Sequence, residues 1–218
     1  MLDTYKFIEK YKRISIIGME KNVGKTTLLN KLIADIGKTK KLGLTSIGRD
    51  GEDIDVVTNT DKPRIYVRKG SIIATGRNCL AKCDITKEIL YVTDFTTPMG
   101  SIVLIRALSD GYVDIAGPSY NKQVKIIVEL MEKFGSEISI VDGALGRKST
   151  AISDVSEATI LSTGAALSLD MLKVVEETKK TVYFLRLEEI DKNIKEKIKE
   201  FKDEKAVLFY KNGEVAIL

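Results

Sequence analysis

The segment Gly18-Met19-Glu20-Lys21-Asn22-Val23-Gly24-Lys25-Thr26-Thr27 lies between an apolar run, Ile14-Ser15-Ile16-Ile17, and a helical pattern that opens at Leu28. Strand, glycine-containing loop and helix, in that order, form the context in which a chain wraps backbone N–H groups around phosphate oxygens. The helix N-terminus adds unpaired donors and the positive end of its dipole. On this reading Glu20, Lys21, Asn22, Val23, Gly24, Lys25, Thr26 and Thr27 make a nucleotide-binding P-loop. Lys25 is expected to neutralise the β- and γ-phosphates, and the Thr26 hydroxyl to ligate Mg²⁺. The usual spacing G-x-x-x-x-G-K-[ST] puts its first glycine at position 19, which is Met19 here. Gly18 stands one residue early, while Val23-Gly24-Lys25-Thr26-Thr27 is intact.

Outward from this loop the pattern alternates strands with helices, which predicts an α/β fold with a mainly parallel sheet flanked by helices. The first strand is expected near 13–18, with the loop's helix running to about 36 and Gly37 as its C′ residue. A second strand near 42–48 leads into the polar loop Arg49-Asp50-Gly51-Glu52. Residues 54–117 read as a β-hairpin-rich insertion. One hairpin over 65–74 is expected to turn at Lys69-Gly70, and another joins 101–106 to 111–116 through Ser109-Asp110-Gly111, with a helix over about 78–91 between them. Alternation then resumes with a helix capped at Ser119, whose buried stripe is Val124, Ile127, Val128 and Met131. Buried strands follow at 138–141, 158–161 and 181–185, with a helix over about 168–179 between the last two. Ile190, Ile194, Ile198 and Phe201 mark a surface helix, and a hairpin turning at Asn212-Gly213 closes the chain. The whole of 1–218 reads as a single domain.

Composition narrows the function. Lys plus Arg number 35 against 31 Asp plus Glu, and a net charge of +4 is too small to imply a nucleic-acid partner. The N-terminal residues lack the basic-then-apolar order of a signal peptide, and no apolar run approaches about 18 residues, so a cytoplasmic protein with no membrane span is expected. The chain has no histidine, which excludes Ser-His-Asp and Cys-His mechanisms and His-ligated metals. Cys79 and Cys83 share a C-x-x-x-C spacing. Two thiolates do not complete a tetrahedral site, so they read as reduced structural residues unless two chains pool their pairs.

Ligands of open α/β sheets bind beyond the carboxyl ends of the strands. There, Asp142 ends the apolar run Ile138-Ser139-Ile140-Val141, where a carboxylate reaches the Mg²⁺ shell beside Thr26. Gly143 is expected to clear bulk near phosphate. Asp50 or Glu52 is a candidate to position water or a second metal contact, and Arg49 to touch phosphate. Ser162-Thr163-Gly164-Ala165 reads as a strand-to-helix turn or as lining for the far end of the ligand. Arg147 and Lys148 are surface loop cations or stabilisers of transferred charge. The site set is thus Lys25, Asp50 and Asp142 for catalysis, with Thr26 and Asp142 for the metal.

Val23-Gly24-Lys25-Thr26-Thr27 together with Asp142-Gly143-Ala144 resembles the P-loop NTPases of the group that contains dethiobiotin synthetase, the nitrogenase iron protein and metallochaperone ATPases. Gly18 to Thr27, Asp110-Gly-Tyr-Val-Asp-Ile-Ala-Gly-Pro118 and Asp142-Gly-Ala-Leu-Gly-Arg-Lys-Ser149 look like P-loop proteins associated with cobalamin-dependent lysine and ornithine aminomutases. The resemblance implies ATP and Mg²⁺ as cofactors, and a hydrolysis that drives a partner such as an aminomutase or a metalloenzyme undergoing maturation. The alternative it implies is a small-molecule ligase or kinase. In part of this group Lys-Gly-Gly precedes Val-Gly-Lys-Thr-Thr and the lysine reaches across a homodimer. This chain carries Glu20-Lys21-Asn22 there. No Asn/Thr-Lys-x-Asp guanine-reading motif occurs, since Asn121-Lys122-Gln123 is followed by Val124, so ATP is expected over GTP.

Overall fold

The computed structural model describes residues 8–48, 64–143, 155–187, 191–201, 207–210 and 214–217. The chain divides into two compact units, Met1–Thr178 and Lys179–Leu218.

The first unit is built on a seven-stranded sheet. Its middle is five parallel strands in the order β4 (Ile72–Gly76), β2 (Leu42–Ser46), β8 (Ile138–Asp142), β1 (Arg13–Gly18) and β9 (Ala158–Ser162). Beyond β4 the sheet continues antiparallel through β6 (Gly100–Ala107) to the edge strand β5 (Lys87–Thr97). A separate antiparallel pair joins β3 (Ile65–Val67) to β7 (Gly111–Val113).

Strands covered on both faces are buried along their length rather than alternating, and β2, β4 and all but one end residue of β1 and β8 follow that pattern. Alternate side chains feed two cores. Ile14, Ile16, Leu42, Leu44, Ile138 and Ile140 meet Leu29, Leu32, Ile33 and Ile36 of helix α1 (Lys25–Ile36), which also packs on β3. Ile72, Ala74, Ile102, Leu104 and Val141 meet Val124, Ile127, Val128 and Met131 of helix α2 (Asn121–Lys133). Both helices place their buried residues three or four apart, the spacing of a single helical face. Arg13 at the start of β1 grips Glu132 near the end of α2 with two charge-assisted bonds, Nε to Oε1 at 2.6 Å and Nη2 to Oε2 at 2.8 Å.

Helix α3 (Met171–Leu185) crosses the boundary between the units. The second unit contains a short helix, α4 (Lys192–Ile198), whose N-cap Asp191 accepts the Asn193 N–H at 2.7 Å. A 3-10 turn (Lys199–Phe201) follows, and then the antiparallel pair β10 (Val207–Phe209) and β11 (Val215–Ile217).

Several expected elements differ. The turn at Lys69-Gly70 forms, with the Ser71 N–H on Arg68 O at 3.0 Å and Gly70 at φ +92°. Its two strands do not pair with each other. β4 is buried on both faces and takes a place inside the main sheet, whereas β3 alternates and pairs with β7. The second expected hairpin also fails to form, because β6 pairs with β4 and β5. The expected helix over 78–91 is a 3-10 turn (Arg77–Lys82) followed by β5, whose run of β-branched and aromatic residues suits a pleated strand. Of the β-rich stretch, β4, β5 and β6 extend the main sheet, while β3 and β7 form a pair of their own. The expected strand at 181–185 is the last turn of α3. Val174, Thr178, Thr181, Val182 and Leu185 recur there at helical spacing, and the run Thr181-Val182-Tyr183-Phe184 continues the helix with only Thr181 buried. α2 begins after Tyr120 rather than Ser119 and has no side-chain cap bond. Gly37 ends α1 in right-handed conformation, φ −64°, and a Cβ there would meet Ile33 O.

Candidate phosphate-binding site

Strands β1 and β8 are neighbours, yet the chain leaves them in opposite directions. β1 connects across β8 to β2, while β8 connects across β1 to β9. Adjacent strands with diverging connections open a crevice at their carboxyl ends, which is where ligands of open α/β sheets bind. The register sets Ile16 of β1 level with Asp142 of β8, and Asp142 level with Ser46 of β2. Gly18 and Asp142 therefore end neighbouring strands at the mouth of that crevice.

The loop from Met19 to Gly24 is fastened at its base. The Met19 N–H donates to Ser162 O of β9 at 2.8 Å, and the Met19 and Val23 side chains are buried. Asn22 at φ +60° and Gly24 at φ +86° take left-handed conformations. Asn tolerates that region better than other side chains because its short amide bonds locally. It thereby serves a position where the Lys-Gly-Gly pattern has glycine.

Helix α1 starts on Gly24 with no side-chain cap and no acidic residue in its first turn. The intrahelical ladder opens with the Leu28 N–H on Gly24 O at 2.9 Å, so the amides of the first turn lack helical partners. A lysine at the first helical position also opposes the dipole, which favours anions there. That start suits an external anion.

The Lys25 side chain folds back over the loop, and its Nζ donates to Glu20 O at 3.0 Å. It rests on Gly18, where an added Cβ would lie 2.7 Å from Lys25 Nζ, 2.8 Å from Lys25 Cδ and 2.8 Å from Val23 Cγ2. Burial pushes the Lys25 ammonium below its ordinary pKa, against the pull of the Asp142 and Glu20 carboxylates. Glu20 Oε1 accepts the Lys21 N–H at 3.0 Å. Thr26 is half-buried and Thr27 exposed.

The backbone of Asp142 is held on both sides. Its carbonyl accepts the Ile47 N–H at 2.9 Å, and the Gly143 N–H donates to Ile16 O at 2.8 Å. A Cβ on Gly143 would press on Ile17 Cγ2 at 3.0 Å and Ile16 O at 3.1 Å. The crowding there comes from strand β1.

A feature missed in the sequence closes the same edge beyond β2. Residues 114–118 cross the ends of β4 and β2 as a strap. Thr75 Oγ1 donates to Asp114 O (3.0 Å) and accepts from the Ala116 N–H (2.9 Å). Ser46 Oγ donates to Ile115 O (3.3 Å) and accepts from the Gly117 N–H (2.9 Å), while the Gly48 N–H reaches Pro118 O (3.1 Å). Gly117 passes so near β2 that a Cβ would sit 1.9 Å from Ser46 O. The Gly117-Pro118 pair was the available signal for an irregular segment.

Asp50, with Arg49 and Glu52, lies outside the described residues, as do Ala144, Arg147 and Lys148. Thr163 bonds Thr178 between hydroxyls at 2.9 Å, and Gly164 O closes a turn onto the Leu167 N–H at 3.0 Å. Cys79 is buried and Cys83 half-buried, and burial raises both thiol pKa values. The Cys83 thiol donates to Cys79 O at 3.3 Å.

Among the described residues no group of three Cys, Asp or Glu could hold a metal by itself. Mg²⁺ commonly takes one or two protein oxygens plus substrate phosphates and water. Thr26 in the first turn of α1 offers a hydroxyl and Asp142 at the end of β8 a carboxylate, the oxygen types of such a partial set. No helix among the described residues is long and apolar enough to cross a membrane. No family model, curated protein or solved structure matches the chain.

Proposed function

We propose that this chain binds Mg·ATP in the crevice between β1 and β8 and hydrolyses it to drive a partner protein. The observation that supports this best is Lys25 folded over an uncapped helix start, beside a strand that ends in Asp142. The loop amides and Lys25 would hold the β- and γ-phosphates, and Thr26 and Asp142 the metal. Bound Mg²⁺ would supply charge neutralisation at the phosphates. Lys25 would turn from Glu20 O towards the phosphate oxygens, exchanging a carbonyl for a charged acceptor. Val23 and Met19, both buried, would keep the loop in place while it does so. The motif resemblance supports a partner of the cobalamin-dependent aminomutase or metalloenzyme kind. Calorimetric titration of wild type and Lys25→Ala with Mg·ATP tests the binding. Equal affinity in both would overturn it. Turnover measured with an added aminomutase or with added small metabolites separates the partner-driven ATPase from a ligase or kinase.

A further inference from the structure

We propose that Glu20 is an internal competitor for the phosphate cradle, its carboxylate standing where a nucleotide's negative charge would otherwise be received. This rests on the nucleotide-binding reading and deepens it. Glu20 holds two groups of the loop, one through its backbone and one through its side chain. The Glu20 carbonyl takes the Lys25 ammonium at 3.0 Å, and its carboxylate takes the Lys21 amide at 3.0 Å. The same carboxylate acts electrostatically on Lys25 across the loop. The loop's cationic centre is thus already partly answered by an anion from its own second position.

An incoming phosphate meets like charge until Glu20 turns away, and the half-buried side chain has exposed Lys21 and Asn22 beside it. Charge repulsion of this kind weakens binding without blocking it. A triphosphate, whose several oxygens reach more of the loop amides at once, displaces the carboxylate more readily than a single phosphate does. Glu20 therefore favours ligands that engage several loop amides together.

Glu20→Gln keeps the shape and an acceptor for the Lys21 amide while removing the charge. Titration calorimetry with Mg·ATP, Mg·ADP and inorganic phosphate compares wild type, Glu20→Gln and Lys25→Ala. We expect Glu20→Gln to tighten Mg·ATP by about five- to tenfold and to bring inorganic phosphate into the measurable range. Unchanged or weaker Mg·ATP binding in Glu20→Gln, with binding still lost in Lys25→Ala, overturns this inference alone. Weakening confined to titrations with Mg²⁺ also overturns it, since Glu20 would then be helping to hold the cation. Unchanged affinity in Lys25→Ala removes the nucleotide reading and this inference with it.

Discussion

Replacing Gly18 by alanine separates the fold of this loop from its chemistry. The new Cβ would sit 2.7 Å from Lys25 Nζ and 2.8 Å from both Lys25 Cδ and Val23 Cγ2, inside any real contact distance. Lysine is flexible and yields first, so the ammonium leaves its position over the loop. A hydrogen bond to a charged group is worth about 1.5–3 kcal/mol, which corresponds to roughly a 10- to 150-fold rise in the Kd for Mg·ATP. Stability should respond differently. Gly→Ala at a compatible backbone gains about 0.4–1 kcal/mol through the unfolded chain. Moving the buried Val23 methyl costs about 1 kcal/mol or a little more. These nearly cancel, and the net change stays within about 1 kcal/mol. Titration calorimetry reads the first effect and urea denaturation the second. A Gly18→Ala protein that binds Mg·ATP as tightly as wild type would refute the idea that the seat of Lys25 on Gly18 matters for phosphate.

Burial lowers the Lys25 pKa and only its charged form attracts phosphate. Mg·ATP affinity should therefore fall as pH rises, starting below the range where ordinary lysines lose their proton, and the fall should vanish in Lys25→Arg; binding titrations across alkaline pH check both. Lys25→Ala should lose about 100-fold or more in affinity with an unchanged far-ultraviolet circular dichroism spectrum. Asp142→Asn should raise the Mg²⁺ concentration needed for half-maximal turnover more than it weakens nucleotide binding, since the amide keeps the shape and loses the charge; unchanged Mg²⁺ dependence would return Asp142 to a structural role. Gly117→Ala forces a Cβ against Ser46 O, 1.9 Å away, and should cost about 2–3 kcal/mol in urea denaturation.

The parts of this fold that were legible in the sequence are those where local pattern and burial agree. Ile14-Ser15-Ile16-Ile17 and Ile138-Ser139-Ile140-Val141 are continuous apolar runs, and they are the covered central strands β1 and β8. Val124, Ile127, Val128 and Met131 mark α2 by spacing alone. The loop residues and Asp142 were candidates through motif and strand-end position, and the register sets β1 and β8 side by side so that Gly18 and Asp142 end neighbouring strands. Pairing was harder to read. Tyr66 and Ile73 lie on either side of a real turn but join different sheets, because a turn fixes direction and only burial decides the partner. Ile89-Leu90-Tyr91-Val92 could not be told from a buried helix segment by periodicity, and its β-branched content was the better guide. For the strap over 114–118 the Gly117-Pro118 pair marked only an irregular segment, because the side chains that hold it, Ser46 and Thr75, are distant in sequence.

The order of the central strands also decides when the site can come into being during synthesis. β1 pairs on one side with Ser139–Asp142 and on the other with Ala158–Ser162, so the loop after β1 emerges long before the strands that flank it. Pairings so distant in sequence make for slow assembly, because the intervening chain must be ordered first. The Met19 amide waits for Ser162 O, and Ile16 waits for Asp142. A nascent chain stopped before β8 would leave β1 without either neighbour and expose Ile14, Ile16 and Ile17, an invitation to aggregate or to recruit a chaperone. Nucleotide bound to the finished loop would then stabilise the last-formed part of the sheet, linking ligand supply to the yield of folded protein.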